Sequence, residues 1–315
     1  MSHVISEIIP HGSAVKEFRL RRQDNAPLPA WQPGSHIVLR FTGSDATQYE
    51  SHYSLVGEPA AGDAYRIAVL RLEDGKGGSR CLHDEMVSGM EIDVTGPFDS
   101  FPLAAAPEPA RIMLIAGGIG ITPMVSMAHA LGARGIPFDL HYLARSAQRL
   151  VLLEELHAIP NANIVLHVSE DAGQTDLDAM LGAHAEGATF YACGPVPLLQ
   201  ALERSGTRLG WPAKAMHFES FGARVQESDE PLTVELAMSQ MTVTVQPGTS
   251  ILDALIAADV FVSYECKRGE CANCYTQVVE GAPVHRDVCL TQEQRAVGMC
   301  TCVSWAGGGR LVLDL

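Results

Sequence analysis

Six of the eight cysteines fall between Cys266 and Cys302, and the spacing of four of them suits a redox centre. Cys266-x4-Cys271-x2-Cys274 is followed after 27 residues by Cys302. Two irons bridged by sulfide need four thiolates; a short loop can supply three and a distant segment the fourth. Gly269, Ala272 and Asn273 keep the loop small, so backbone N–H groups can approach the sulfurs and tune the potential. Cys300 competes with Cys302 for the fourth position. The rival, a structural zinc with four cysteine ligands, usually shows paired C-x2-C units, and only Cys271 and Cys274 have that spacing. Cys289 and Cys300 otherwise read as small buried hydrophobes, Cys193 taken alone as a core residue, and Cys81 stands apart.

Three turns could border a bound ligand, and two of them are glycine-rich and suited to phosphate. In RIMLIAGGIGITPM a strand runs into Gly117, Gly118 and Gly120 and then into a helix. Glycines let backbone approach a pyrophosphate, and a helix N-terminus favours its charge. The turn does not match G-x-G-x-x-G, and a tight βα turn without a ligand has the same composition. Phe190–Pro195 (FYACGP) ends another strand and enters a helix, which puts Cys193 and Gly194 at the carboxyl edge of a sheet, where α/β ligands bind. The third turn, Gly75 to Asp84 (GKGGSRCLHD), is a phosphate cradle or a plain turn with a helix cap.

The elements that position these residues follow from patterning. The 315 residues suffice for two or three domains. Up to about Leu103, short strand-like runs (KEFRLRR, SHIVLRF, HYSLV, YRIAVLRL) imply a small antiparallel barrel. From Ala104, apolar strands at 111–116, 138–144, 163–168 and 189–193 alternate with helical stretches, as in a parallel α/β sheet. GARVQESDEP reads as a linker. Beyond it come two strand-like runs and a helix, ILDALIAA, opened by a capping box at Ser250 and Asp253. The net charge of −15 argues against nucleic acid and anionic membranes. The start, MSHVISEIIPHGS, lacks a signal peptide's basic region, so a reducing cytoplasm is expected. The uncharged stretch between Arg111 and Arg134 is long enough to cross a membrane, but its glycines and Pro123 mark a strand, a turn and a helix.

GGIGITP followed by YACGP resembles the nicotinamide-dinucleotide domain of the ferredoxin reductase superfamily. The resemblance implies that Gly117, Gly118, Gly120 and Thr122 hold the pyrophosphate and that Cys193, Gly194 and Pro195 lie beside the nicotinamide. The superfamily's flavin barrel carries Arg-x-Tyr-Ser on one strand. Here Ser51 stands in the arginine's place, and Tyr53 and Ser54 match. Tyr53 would lie on the flavin ring and Ser54 would hydrogen-bond it. Gly77, Gly78 and Ser79 would receive the single phosphate of FMN. Arg71, Arg80 and His52 are the candidates to replace the missing arginine. GPFDSFPL resembles the barrel exit. Phe221 would stack over the flavin, with Phe218 in the core.

LTVELAMSQMTVTVQPGTSILDAL and YECKRGECANC resemble a plant-type [2Fe–2S] ferredoxin of β-grasp fold, and that resemblance selects Cys302 as the fourth ligand. The order of the parts resembles the phthalate dioxygenase reductase and vanillate demethylase reductase family. It implies an FMN barrel over 1–104, an NAD(P)H domain over 105–224 and a ferredoxin domain over 231–315. The expected enzyme passes electrons from NAD(P)H through FMN and the cluster to a terminal oxygenase, often of the Rieske type, with Tyr53, Ser54 and Cys193 at the hydride-transfer site. A haem-dependent acceptor is the alternative, and a non-catalytic redox carrier a more distant one. Arg145, with Ser146 and Arg149, sits where a 2′-phosphate would lie, yet NADH is expected ahead of NADPH, since family members with similar strings use NADH.

Overall fold

The computed structural model describes residues 2–59, 62–73, 75, 77–104, 111–221, 229–269 and 271–315. Most of the expected linker, both expected domain boundaries near 104 and 224, and Lys76 and Glu270 of the two loops lie outside the described residues. The chain divides into two units, Met1–Gly194 with Ala201–His217, and Pro195–Gln200 with Phe218–Leu315.

The first unit begins with an antiparallel sheet of β1 (Ser2–His11), β2 (Val15–Arg22), β3 (His36–Thr42), β4 (Gln48–Ser54), β5 (Tyr65–Leu70) and, after helix α1 (Gly78–Asp84), β6 (Glu91–Phe98). The order is β4-β3-β6-β1-β2-β5, and the two outer strands approach each other, closing the sheet as a barrel. Phe18 and Leu20 alternate with half-exposed Arg19 on β2 and meet Ile5, Ile37, Leu39 and Ile67 in one core. HYSLV is displaced from its expected limits: the strand starts at Gln48, because Gln48–Ser54 ladders along β3, and Leu55 leaves the ladder for the core.

Strand and helix then alternate: β7 (Arg111–Gly117), α2 (Ile121–Ala133), β8 (Phe138–Ala144), α3 (Leu153–His157), β9 (Ala162–Val168), α4 (Ser169–Ala172), α5 (Leu177–Leu181), β10 (Ala188–Cys193), α6 (Val196–Arg208) and β11 (Met216–Glu219), of which the start of α6 up to Gln200 and the end of β11 from Phe218 belong to the second unit. Their order is β11-β10-β7-β8-β9, with β10, β7, β8 and β9 parallel. The chain leaves β7 toward β8 on one side and returns to β10 on the other. The crevice at the carboxyl ends of β7 and β10 is therefore a topological switch point, where open α/β sheets bind ligands.

Buried charge ties barrel to α/β layer. Arg66 of β5 donates to Glu17 of β2 (2.8 and 3.0 Å) and to Glu155 of α3 (3.0 and 2.8 Å), while His129 of α2 sits 2.8 Å from Glu155. Glu17 is 2% exposed. Beside the network, the amide of Gly34 donates to Ser126 Oγ at 3.0 Å; a Cβ at Gly34 would lie 1.9 Å from the Phe101 carbonyl oxygen. Sequence patterning does not reveal this network, because the partners are far apart in the chain.

The second unit holds β12 (Leu232–Leu236), β13 (Thr242–Val245), α7 (Ile251–Ala257), β14 (Tyr275–Val284), α8 (Gln292–Val297), β15 (Gly298–Cys300) and β16 (Trp305–Leu313), ordered β13-β12-β16-β14-β15. Ser250 caps α7 by accepting from the Asp253 amide. The full reciprocal box instead opens α8, where Thr291 and Gln294 bond to each other's backbone. Leu232, Val234, Leu252, Leu255, Met299 and Leu311 share one core with Cys274, Cys300 and Cys302.

Removing the Arg66 guanidinium takes from two carboxylates their shared partner, leaving Glu17 with Arg19 and His11 and Glu155 with His129. Arg66→Met is expected to cost about 3–5 kcal/mol in urea unfolding. Burial pushes the Glu155 carboxyl up, but hydrogen bonds from His129 and Arg66 outweigh it and bring it down from 4.5 to about 2. Its contribution is therefore present above pH 4.5 and lost as pH falls through about 2. Stability measured across that window should fall less steeply in Glu155→Gln than in the parent.

Candidate redox sites

The crevice between β7 and β10 brings the two glycine segments together. Gly117 ends β7, a tight turn covers Gly118–Gly120, and Ile121 starts α2. A Cβ at Gly120 would lie 2.1 Å from the Cys193 carbonyl oxygen and 2.9 Å from the Gly194 nitrogen. Gly120 is thus required by backbone packed against backbone. The open direction belongs to Gly118, which has φ +57 and nothing within 4 Å of a would-be Cβ. Thr122 is buried and its hydroxyl donates to the Ile119 carbonyl at 3.1 Å, so it braces the turn from inside. Cys193 is fully buried. Arg145, just past β8, points into solvent with Glu170 at 3.5 Å.

On the barrel, Tyr49, Ser51 and Tyr53 share one face of β4 by strand alternation, and His52 takes the other, stacked on His36 at 5.3 Å. Tyr49 and Ser51 face the turn that opens α1: Cβ atoms at Gly77 and Gly78 would lie 3.1 Å from the Tyr49 hydroxyl and 3.1 Å from Ser51 Oγ. Gly77 has φ +90, which favours glycine. Ser79 Oγ accepts from the Leu72 amide, and Ser54 is buried at the end of β4. Arg71 is bound to both oxygens of Asp84 (2.6 Å) and to Glu73 (2.8 Å), so it is committed to carboxylates. Arg80 is exposed and makes no ion pair among the described residues. A narrow turn of two glycines, a small Ser51 and one uncommitted guanidinium fit a single phosphate. Phe221 and Phe218 are both half-buried; Phe218 is not the core residue expected.

In the second unit the cysteine loop folds back on itself. Lys267, Gly269 and Ala272 take positive φ (52, 73 and 59°). The Arg268 amide donates to Cys266 Sγ at 3.3 Å, the Asn273 amide to the Cys271 sulfur and the Gly269 amide to that of Cys302. Cys271 interacts with Cys266, and Cys274 with both Cys300 and Cys302. Among the described residues no three Cys, His, Asp or Glu side chains converge as ligands of a single ion would. Cys266, Cys271 and Cys274 on one loop, with Cys302 in the same core as Cys274, offer the four thiolates that two sulfide-bridged irons require. Thiol hydrogen bonds from Cys300 and Cys302 bring Cys274 down to about 3. Cys300 leans the other way as well, with its sulfur 3.7 Å from that of Cys289.

The comparisons with known proteins agree with this geometry. The 2Fe-2S iron-sulfur cluster binding domain family matches residues 234–306, and the oxidoreductase NAD-binding domain family matches 114–204. The carnitine monooxygenase reductase subunit of Acinetobacter baumannii is 34% identical over 303 residues, covering 96% of this chain and 93% of the relative. Phenoxybenzoate dioxygenase subunit beta of Ectopseudomonas oleovorans is 39% identical over 302 residues, covering 95% and 92%. The chain belongs to the oxygenase reductase family. Its structure matches phthalate dioxygenase reductase with a TM-score of 0.74 at 30% identity, over 100% of this chain and 98% of that one. An intact type IV self-sufficient cytochrome P450 monooxygenase matches all of the reductase with a TM-score of 0.70 at 32% identity, over 41% of its own length. The reductase is an NAD(P)H-dependent oxidoreductase with a [2Fe–2S] domain, and it serves an oxygenase system. Among the described residues no helix is long and apolar enough to cross a membrane.

The Gly120 contact predicts an asymmetry between neighbours. Gly120→Val must push the Cys193–Gly194 backbone aside and is expected to raise KM for NAD(P)H at least tenfold, with cluster absorbance unchanged. Gly118→Ala meets only the backbone strain of positive φ, about 1 kcal/mol, and should lose less. Equal losses would show that the backbone contact is unimportant.

Proposed function

We propose that the reductase binds FMN on the barrel, over 1–104, NADH in the crevice of 105–224, and a [2Fe–2S] cluster on Cys266, Cys271, Cys274 and Cys302 in 231–315, and that it passes electrons in that order to a terminal oxygenase. The observation that carries this is a loop that gathers Cys266, Cys271 and Cys274, with Cys302 in the same core as Cys274, in a chain that also has a dinucleotide crevice. Bound flavin supplies the conversion of a hydride's two electrons into single electrons, which the cluster accepts one at a time. The chain's own work is positioning. Tyr53 and Ser54 present β4 to the ring; Gly77, Gly78, Ser79 and Arg80 receive the phosphate, with Arg71 holding the loop through Asp84. Gly117, Gly118 and Gly120, braced by Thr122, receive the pyrophosphate. Cys193, Gly194 and Pro195 shape the nicotinamide end, and Phe221 covers the flavin until the nicotinamide arrives.

Arg145 favours NADH. Glu170 lies against its guanidinium, so a 2′-phosphate would meet a carboxylate as well as a cation. The acceptor we assign is a Rieske-type oxygenase in the cytoplasm, on the resemblance carried by the order of the motifs. Relatives are named for carnitine, phenoxybenzoate and vanillate, which supports a reductase that leaves substrate choice to its partner. The likeness to a self-sufficient P450 supports haem as the second reading of the acceptor.

Cys266→Ser decides the order of transfer. NADH should still bleach the flavin, while reduction of cytochrome c or of the oxygenase should fall to background. Normal turnover of the oxygenase without the cluster would make the flavin the exit point and overturn the proposal. Cys302→Ser should abolish the cluster spectrum and Cys300→Ser should retain it; the reverse result moves the fourth ligand.

A further inference from the structure

The cluster loop carries two adjacent cations with opposite fates. Lys267 is about half exposed and pairs with Asp253 at 2.8 Å. Arg268 turns inward: it is 8% exposed, and its Nη1 lies 3.9 Å from Oε1 of Glu219, which is 1% exposed. Its backbone is engaged on both sides. The amide donates to Cys266 Sγ at 3.3 Å, and the carbonyl accepts from Ser220 Oγ at 3.4 Å. The next residue, Gly269, is pinned, since a Cβ there would lie 2.6 Å from Val303 Cγ2. Arg268 therefore cannot slide along the loop, and its guanidinium is held out of water within one side-chain length of a ligand sulfur.

Charge at that place acts on the electron. A [2Fe–2S] centre with four thiolates is anionic when oxidised and gains one more negative charge when reduced. A buried cation nearby favours the reduced form, and a buried anion opposes it. Both effects are far weaker for an exposed charge, which solvent screens.

We propose that the buried Arg268–Glu219 pair sets the reduction potential of the cluster, with Arg268 a positioning residue that also orients Cys266 through its amide. The proposal rests on Cys266 as a ligand, as assigned above. The test is a redox titration of the full-length protein, adding electrons singly from dithionite through mediator dyes and following the EPR signal of the reduced cluster. Glu219→Gln keeps the shape and removes one buried negative charge beside the guanidinium. It should shift the balance toward the reduced cluster at least tenfold, about 59 mV for one electron. Arg268→Gln should shift it the opposite way, Arg268→Lys should stay near the parent, and Lys267→Gln should move it less than twofold. Should Arg268→Gln fail to assemble a cluster, Glu219→Gln decides alone, because it alters no residue of the loop. An unmoved potential in Glu219→Gln, or shifts of the same sign in Glu219→Gln and Arg268→Gln, overturns the proposal. Absence of [2Fe–2S] absorbance from the parent protein would instead remove the ligand assignment beneath it.

Discussion

An acidic chain that must hold anions has few cations to spare, and that constraint organises this molecule. Asp and Glu outnumber Lys and Arg by 37 to 22, yet a flavin phosphate, a dinucleotide pyrophosphate and a thiolate-ligated cluster all carry negative charge. Most arginines near the sites are already bound to carboxylates: Arg66 to Glu17 and Glu155, Arg71 to Asp84 and Glu73, Arg145 to Glu170, Arg268 to Glu219. On the function proposed above, backbone N–H groups at Gly77–Gly78, at Gly117–Gly120 and in the cysteine loop supply positive potential instead. The Arg268 amide on Cys266 Sγ is one such contact.

Such turns work only when something rigid lies behind them. At the crevice it is the Cys193 carbonyl against Gly120, with the Thr122 hydroxyl closing the turn from inside. In the cluster loop it is Val303 against Gly269. On the barrel it is Tyr49 and Ser51 against the paired glycines. The small side chain at Ser51 follows from this closeness: its Oγ would already be 3.1 Å from a Cβ at Gly78, so a longer residue would need a different path to clear the turn.

Motifs that act through backbone and spacing were legible in the sequence, because glycine, proline and cysteine report local geometry directly. The cysteine spacing, both dinucleotide segments and the strand β8 fall where they were expected. What depends on distant partners was not legible. Nothing in KEFRLRR shows that Glu17 is buried, because its reason is Arg66, on another strand. Arg71 and His52 looked available as cations; one is occupied by Asp84, and strand alternation turns the other to the opposite face from Ser51. The strands β14 and β16 escaped notice because Glu280-Gly281 and Gly307–Gly309 break their alternation, and β14 carries register shifts at the same place. A glycine signals close approach, but only the fold says that at Gly120 it is also to the Cys193–Gly194 backbone.

The two kinds of cation differ in what they can do. An arginine clamped in a buried carboxylate pair is a poor ligand for an incoming anion, since releasing it strands a charge away from water. It is well suited to hold elements in register, as Arg66 does between β5 and α3, or to fix a local field, the role proposed for Arg268. Backbone amides have the converse character. They bind phosphate oxygen or sulfur without adding net charge, and they cannot be drawn away by a neighbouring carboxylate, because they are part of the turn itself. A net charge of −15 is then compatible with three anionic cofactor sites. The acidic side chains neutralise the arginines that brace the scaffold, and the backbone is left to meet the ligands.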